Sequence, residues 1–169
     1  RDGYVDREAI IDQLARLAKK YPIAFIEDAL WEEDFEGFQM ASKAVNTVIV
    51  GDDFLCTSID RAEKAVEMGA ARGMIFKPNQ AGTLTEALET AKYMMDRNLL
   101  VIPSGRAGGT LDSPEKEIGV ALGALVTKTG APRSGSRTNG FNFLLRTAEE
   151  LGVPQTNIMD LPIFAHLHK

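Results

Sequence analysis

A chain of 169 residues with 44% hydrophobic side chains is long enough for one domain with a sizeable core. A net charge of −5 and the lack of any basic stretch argue against a general nucleic-acid partner. No apolar run approaches the roughly 20 residues that cross a bilayer, no opening stretch reads as a secretion signal, and the single cysteine, Cys56, rules out an internal disulfide, so a cytoplasmic setting with no membrane partner is expected.

The chain reads as a βα repeat. A helix is predicted from about Asp6 to Lys19, with Ile10, Ile11, Leu14, Leu17 and Ala18 on one face, closed by Tyr21-Pro22. The first apolar run, 23–26, ends in Glu27-Asp28. A second helix over about 33–45 turns Phe35, Phe38 and Ala41 inward, and the run 48–51 ends in Asp52-Asp53. A third helix, about 58–69, precedes the run 73–76, which ends in Lys77. The fourth opens on Thr83-Leu84-Thr85-Glu86, the pattern of a capping box, and reaches about Arg97. The run 99–103 leads into Ser104-Gly105-Arg106, and a fifth helix is signalled by Ser113-Pro114. A fifth strand, 124–127, ends in Lys128, and a sixth helix from about Arg137 is closed by Gly152. The strands are rich in Val, Ile and Leu without alternation, as in a parallel sheet buried on both faces. Residues 153–169 form a tail without clear period, in which His166 and His168 are expected in solvent.

In βα folds the chemistry sits at the carboxyl ends of the strands. That rule lines up two carboxylate pairs, two lysines and an arginine on one rim. Hard divalent cations take several oxygen ligands, and acidic residues at adjacent strand ends can share one ion. The same residues also suit turn caps and solvated loop charges, and spacing leaves both readings open. Lys77 and Lys128 can be a base and an anion ligand, or lysines reaching for water. The stretch 104–110 offers backbone amides and one guanidinium, which suit phosphate, or it is simply a turn. Cys56 is expected to pack as a small apolar residue.

Several stretches carry a resemblance to a known family. Phe25-Ile26-Glu27-Asp28, Val50-Gly51-Asp52-Asp53, the run from Lys77-Pro78-Asn79-Gln80 to Glu86, Thr127-Lys128-Thr129-Gly130-Ala131-Pro132, 134–137 and 142–152 resemble enolase, phosphopyruvate hydratase. The resemblance runs from about Tyr4 to Gly152. It implies an α/β fold made of the last five βα units of an enolase-type TIM barrel, a parallel sheet with outer helices over 1–152, followed by the tail. It implies Glu27 and Asp52 as Mg²⁺ ligands and Lys77 as the base that removes the proton beside the substrate carboxylate. It also implies Lys128 on that carboxylate, and Arg106 with Ser104 at the phosphate of a small phosphorylated acid.

The sequence departs from the family pattern in the loop after Ser104. Gly105 stands where the family has histidine, and Ala107 where it has serine. Ala29 and Pro78 replace a proline and a valine. An imidazole and a hydroxyl lost from a buried site would weaken binding by about a few kcal/mol. The resemblance also places the third metal carboxylate, the general acid and the mobile loops ahead of Arg1, so an open sheet with an exposed apolar interior is expected. Completion would come from that missing amino-terminal part or from a homo-oligomer. Three readings follow: an enolase portion inactive in isolation, a relative acting on another acid, and a non-catalytic assembly module.

Overall fold

The computed structural model describes residues 6–106, 109–112, 114–153 and 156–168. Four strands, β1 (Phe25–Glu27), β2 (Val48–Gly51), β3 (Gly73–Phe76) and β4 (Leu100–Pro103), form one parallel sheet in chain order. The connecting helices are α1 (Arg7–Lys20), α2 (Phe35–Ala44), α3 (Ile59–Met68), α4 (Pro78–Ala81), α5 (Leu84–Met95), α6 (Pro114–Leu122) and α7 (Gly135–Leu151). The single turn α4, directly after Lys77, was not anticipated. The capping box is present: Thr83 Oγ1 accepts from the Glu86 N–H at 3.2 Å, and Glu86 Oε2 accepts from the Thr83 N–H at 3.2 Å. The cap expected at Ser113, the departure at Ala107, and residues 108 and 154–155 lie outside the described residues.

Successive strand residues face opposite ways, and β2, β3 and β4 are buried on both faces, whereas β1 at the edge is half-buried. Ile49, Met74, Phe76 and Val101 face a layer that includes Phe35, Phe38 and Ala41 of α2, Ala62 and Ala65 of α3, and Ala87, Ala91 and Met94 of α5. Val48, Val50, Ile75, Leu100 and Ile102 point to the other face. The expected exposed interior is not found there. A 3₁₀ turn over Pro162–Leu167 lays Phe164 and Leu167 against those five side chains, with Met159, Leu161 and Ile163 around them. Phe164 is fully buried. His166, expected in solvent, is half-buried, with its Nε2 3.2 Å from Thr47 Oγ1 and 3.0 Å from the Ile23 carbonyl. His168 is exposed as expected.

The fifth strand is also corrected. Among the described residues, the segment 124–127 makes no ladder. It leads into one parallel bridge between Ser104 and Lys128, where the Lys128 N–H donates to the Pro103 carbonyl at 2.9 Å. It lies at the edge of the sheet, with no further strand beside it among the described residues, and Leu125 is exposed. Without a neighbour on the far side, burial does not hold four residues flat. Leu17, expected on the inner face of α1, is exposed as well, because α1 packs mainly on α2 and buries little beyond Ile11.

Candidate active site

The strands end on a common rim, and two turns there are held by one carboxylate. The backbone of Asp28 is left-handed, with φ of 43°, just after β1. Its side chain accepts from the N–H groups of Asp52 at 2.8 Å, Asp53 at 2.9 Å and Phe54 at 3.4 Å. A single carboxylate thereby ties the end of β1 to the turn after β2. Gly51 lets that turn close, since a Cβ there would come within 2.6 Å of Leu55 Cγ. Phe54 anchors it from below, stacked on Phe38 at 3.7 Å between centroids, while Arg61 Nε donates to the Phe54 carbonyl at 2.7 Å.

The result is an acidic cluster. Oxygens of Asp28, Asp52 and Asp53 lie within 4.8 Å of one another. Asp52 is buried, and its Oδ1 has no hydrogen-bond partner. A buried carboxylate oxygen left without a partner is costly, and a hard cation would satisfy it. Cys56 follows in the same turn, also left-handed at φ 48°. Burial pushes its thiol above the ordinary value, the carboxylates of Asp53, Asp52 and Asp28 add to this, and Arg61 opposes it.

Each of the two rim lysines meets a carboxylate. Lys77 Nζ lies 2.5 Å from Asp52 Oδ2, with side chains 12% and 10% exposed. Lys128 Nζ lies 2.5 Å from both Glu27 oxygens and is more open to solvent. Glu27 and Asp52 are thus both on the rim but engaged by different lysines, and Glu27 is not part of the three-aspartate cluster. Thr57, which the sequence reading passed over, sets the start of the Lys77 turn. It is fully buried, and its hydroxyl accepts the Lys77 N–H at 3.0 Å. No local pattern marks such a residue, because its partner is 20 positions away.

At the other end of the rim, Ser104 and Arg106 line a cavity of about 240 Å³ together with Pro78, Lys116, Thr129 and Arg137. Ser104 is buried and its hydroxyl lies 3.3 Å from the Gly105 carbonyl, whereas Arg106 is exposed. Arg137 Nη1 donates to the Thr129 carbonyl at 2.6 Å across the mouth of α7. Pro78 and Asn79, which follow Lys77 directly, line the near side of this cavity.

Residues 2–157 match the family model described as the enolase C-terminal TIM barrel domain. The chain belongs to the enolase family. It is 41% identical over 160 residues to the enolase of Methanocaldococcus jannaschii, an alignment covering 90% of this chain and 38% of that protein. It is 43% identical over 150 residues to the enolase of Aeropyrum pernix, covering 88% and 35%. Against the enolase of Methanococcus aeolicus it is 44% identical over 149 residues, covering 85% and 35%. The chain thus spans little more than a third of the length of these relatives. Its sheet is the open, four-stranded part of an enolase-type barrel.

Proposed function

We propose that this chain is the carboxyl-terminal portion of an enolase that dehydrates 2-phosphoglycerate to phosphoenolpyruvate with Mg²⁺, a glycolytic reaction of the cytoplasm. The observation that carries the reading is the Asp52–Lys77 pair, with one carboxylate oxygen on the lysine and the other buried without a partner. Asp52 and Glu27 would hold the metal. A bound Mg²⁺ would stabilise the negative charge that builds on the substrate carboxylate as the adjacent proton leaves.

The chain's own residues do the rest. Lys77 is the base. Its Nζ is engaged by Asp52, so it must leave that contact and present a free lone pair before it can accept the proton. Burial among β3, α4 and the Asp52 turn fixes its amine at the rim. Lys128, which meets Glu27 at the rim, would bind the substrate carboxylate, and Ser104 and Arg106 would bind its phosphate. The acid that protonates the departing hydroxyl belongs to the segment completing the barrel, supplied by the same polypeptide or by a second copy. The chain by itself is therefore expected to turn over little or no substrate.

The test is Lys77→Ala in the complete protein, with phosphoenolpyruvate formation followed in Mg²⁺. A loss of about 10²–10⁴-fold is expected for removal of a general base. Turnover that survives the substitution would end the assignment of Lys77.

A further inference from the structure

The cleft beyond β4 is walled by a buried ion pair that the reaction above leaves unused. Glu115 and Lys116 sit in the first turn of α6 and meet at 2.6 Å, with side chains 13% and 3% exposed. A lysine is rarely buried so deeply without a purpose-built partner. Here two glycines make the room. The Lys116 stem crosses α7 at Gly140, in the space a Cβ would need. α6 itself lies close on β4 at Gly119, where a Cβ would stand 2.7 Å from Pro103 Cγ.

A third glycine connects the pair to the site. A Cβ on Gly105 would lie 2.8 Å from Glu115 Oε1 and 3.9 Å from Lys116 Nζ. The Glu115 carboxylate therefore occupies ground that a side chain at position 105 would cover, and it would have to swing aside for one. Among the described residues lining the cleft, Arg106, Lys116 and Arg137 are cationic and Glu115 alone is anionic. Lys116 has three N–H donors, and among the described residues Glu115 is its partner. Three cations and one carboxylate thus line the cleft, and the most buried cation is engaged by that carboxylate.

We propose that Lys116 is the residue that sets specificity for the phosphate end of the substrate, in place of any side chain at position 105. This rests on the enolase-type reading and names the group that selects its phosphate. Glu115 opposes the ligand: an incoming dianion must take the ammonium from a like-charged neighbour. Removing that carboxylate while keeping its shape both relieves the repulsion and leaves Lys116 in need of an anion.

The test is calorimetric titration of inorganic phosphate into the 169-residue chain without divalent metal, for wild type, Lys116→Met and Glu115→Gln. Lys116→Met keeps the apolar stem and removes the charge. It should weaken phosphate binding about tenfold or more, the loss of one charge-assisted contact. Glu115→Gln should tighten it about threefold or more through lost repulsion. Equal affinity in wild type and Lys116→Met, or no binding by wild type, overturns the proposal. If Lys116→Met does not fold, Glu115→Gln decides alone, and an unchanged or weakened affinity there overturns it. The two readings fail separately. Turnover that survives Lys77→Ala ends the base assignment and leaves the phosphate titration standing. Phosphate affinities unmoved by the variants, with Lys77→Ala inactive, end this proposal only.

Discussion

The two ends of the rim are built by different means. At the β1–β2 end, backbone groups do the work: the Asp28 side chain accepts from three consecutive N–H groups on the next strand's turn, and Asp52 and Asp53 follow directly from their strand. At the β4 end, the wall is made by side chains from α6 and α7 that reach across glycines. The first end is a backbone construction, fixed by hydrogen bonds that allow one geometry. The second is a packing construction, fixed by what is absent at Gly105, Gly119 and Gly140. A carboxylate cluster held by amides is suited to a small ion with strict ligand demands. A cleft bounded by a buried ion pair is suited to selecting an anion by charge.

The largest expected effect would abolish the contrast. Both ends stand on one sheet, and Phe164 fills its inner face beneath them. Phe164→Ala should cost about 3–5 kcal/mol, since the surrounding strands cannot collapse into the space. Urea unfolding would read it as a lower midpoint with both ends lost together. An unchanged midpoint would mean that the 3₁₀ turn is an accessory and the sheet is held from its helical side alone.

The next effect would separate the ends. Asp28→Ala removes the acceptor of three N–H groups, at a cost of about 1–3 kcal/mol for the donors left unpaired. Magnesium binding, followed by titration, should fall sharply, whereas inorganic phosphate should bind the β4 cleft as before. Loss of both would show that the cleft depends on the acid turn and that the two constructions are one.

The same division explains what could be read from the chain. The outer core was legible because α2 and α3 repeat apolar residues at helical spacing, and Phe38, Ala41, Ala62 and Ala65 are buried where that spacing puts them. The rim was legible at the ends of β1–β4 because direction alternates along a strand and its last residue is easy to name. Phe164 was not, since a 3₁₀ turn of six residues has no period to detect. Nor were Thr57 and the Glu115–Lys116 pair. Their roles depend on partners in space, and a buried lysine looks in sequence like any solvated one. The fifth strand was overread because an apolar run signals burial only if something lies on both sides of it.

The smallest effect probes the acid end without disturbing it. Cys56 lies in the Asp52–Thr57 turn, its Sγ donating to the Asp53 carbonyl at 3.1 Å. Its thiol is raised by burial first, then by the carboxylates of Asp53, Asp52 and Asp28, with Arg61 pulling the other way. The thiolate is the reactive form, so a raised value leaves less of it at any pH below that value. Iodoacetamide should therefore modify Cys56 more slowly near pH 8 than it modifies a cysteine in an unfolded peptide, with the rate still climbing where the peptide has levelled off. The linked effect on stability has the matching sign: the folded state keeps its proton longer, so the contribution is present below the ordinary thiol range and is lost as pH rises through the folded value. Arg61→Gln removes the one opposing charge and should shift the rate curve further toward alkaline pH. A curve that coincided with the peptide's would mean that burial and the three aspartates together do not outweigh Arg61 at this thiol.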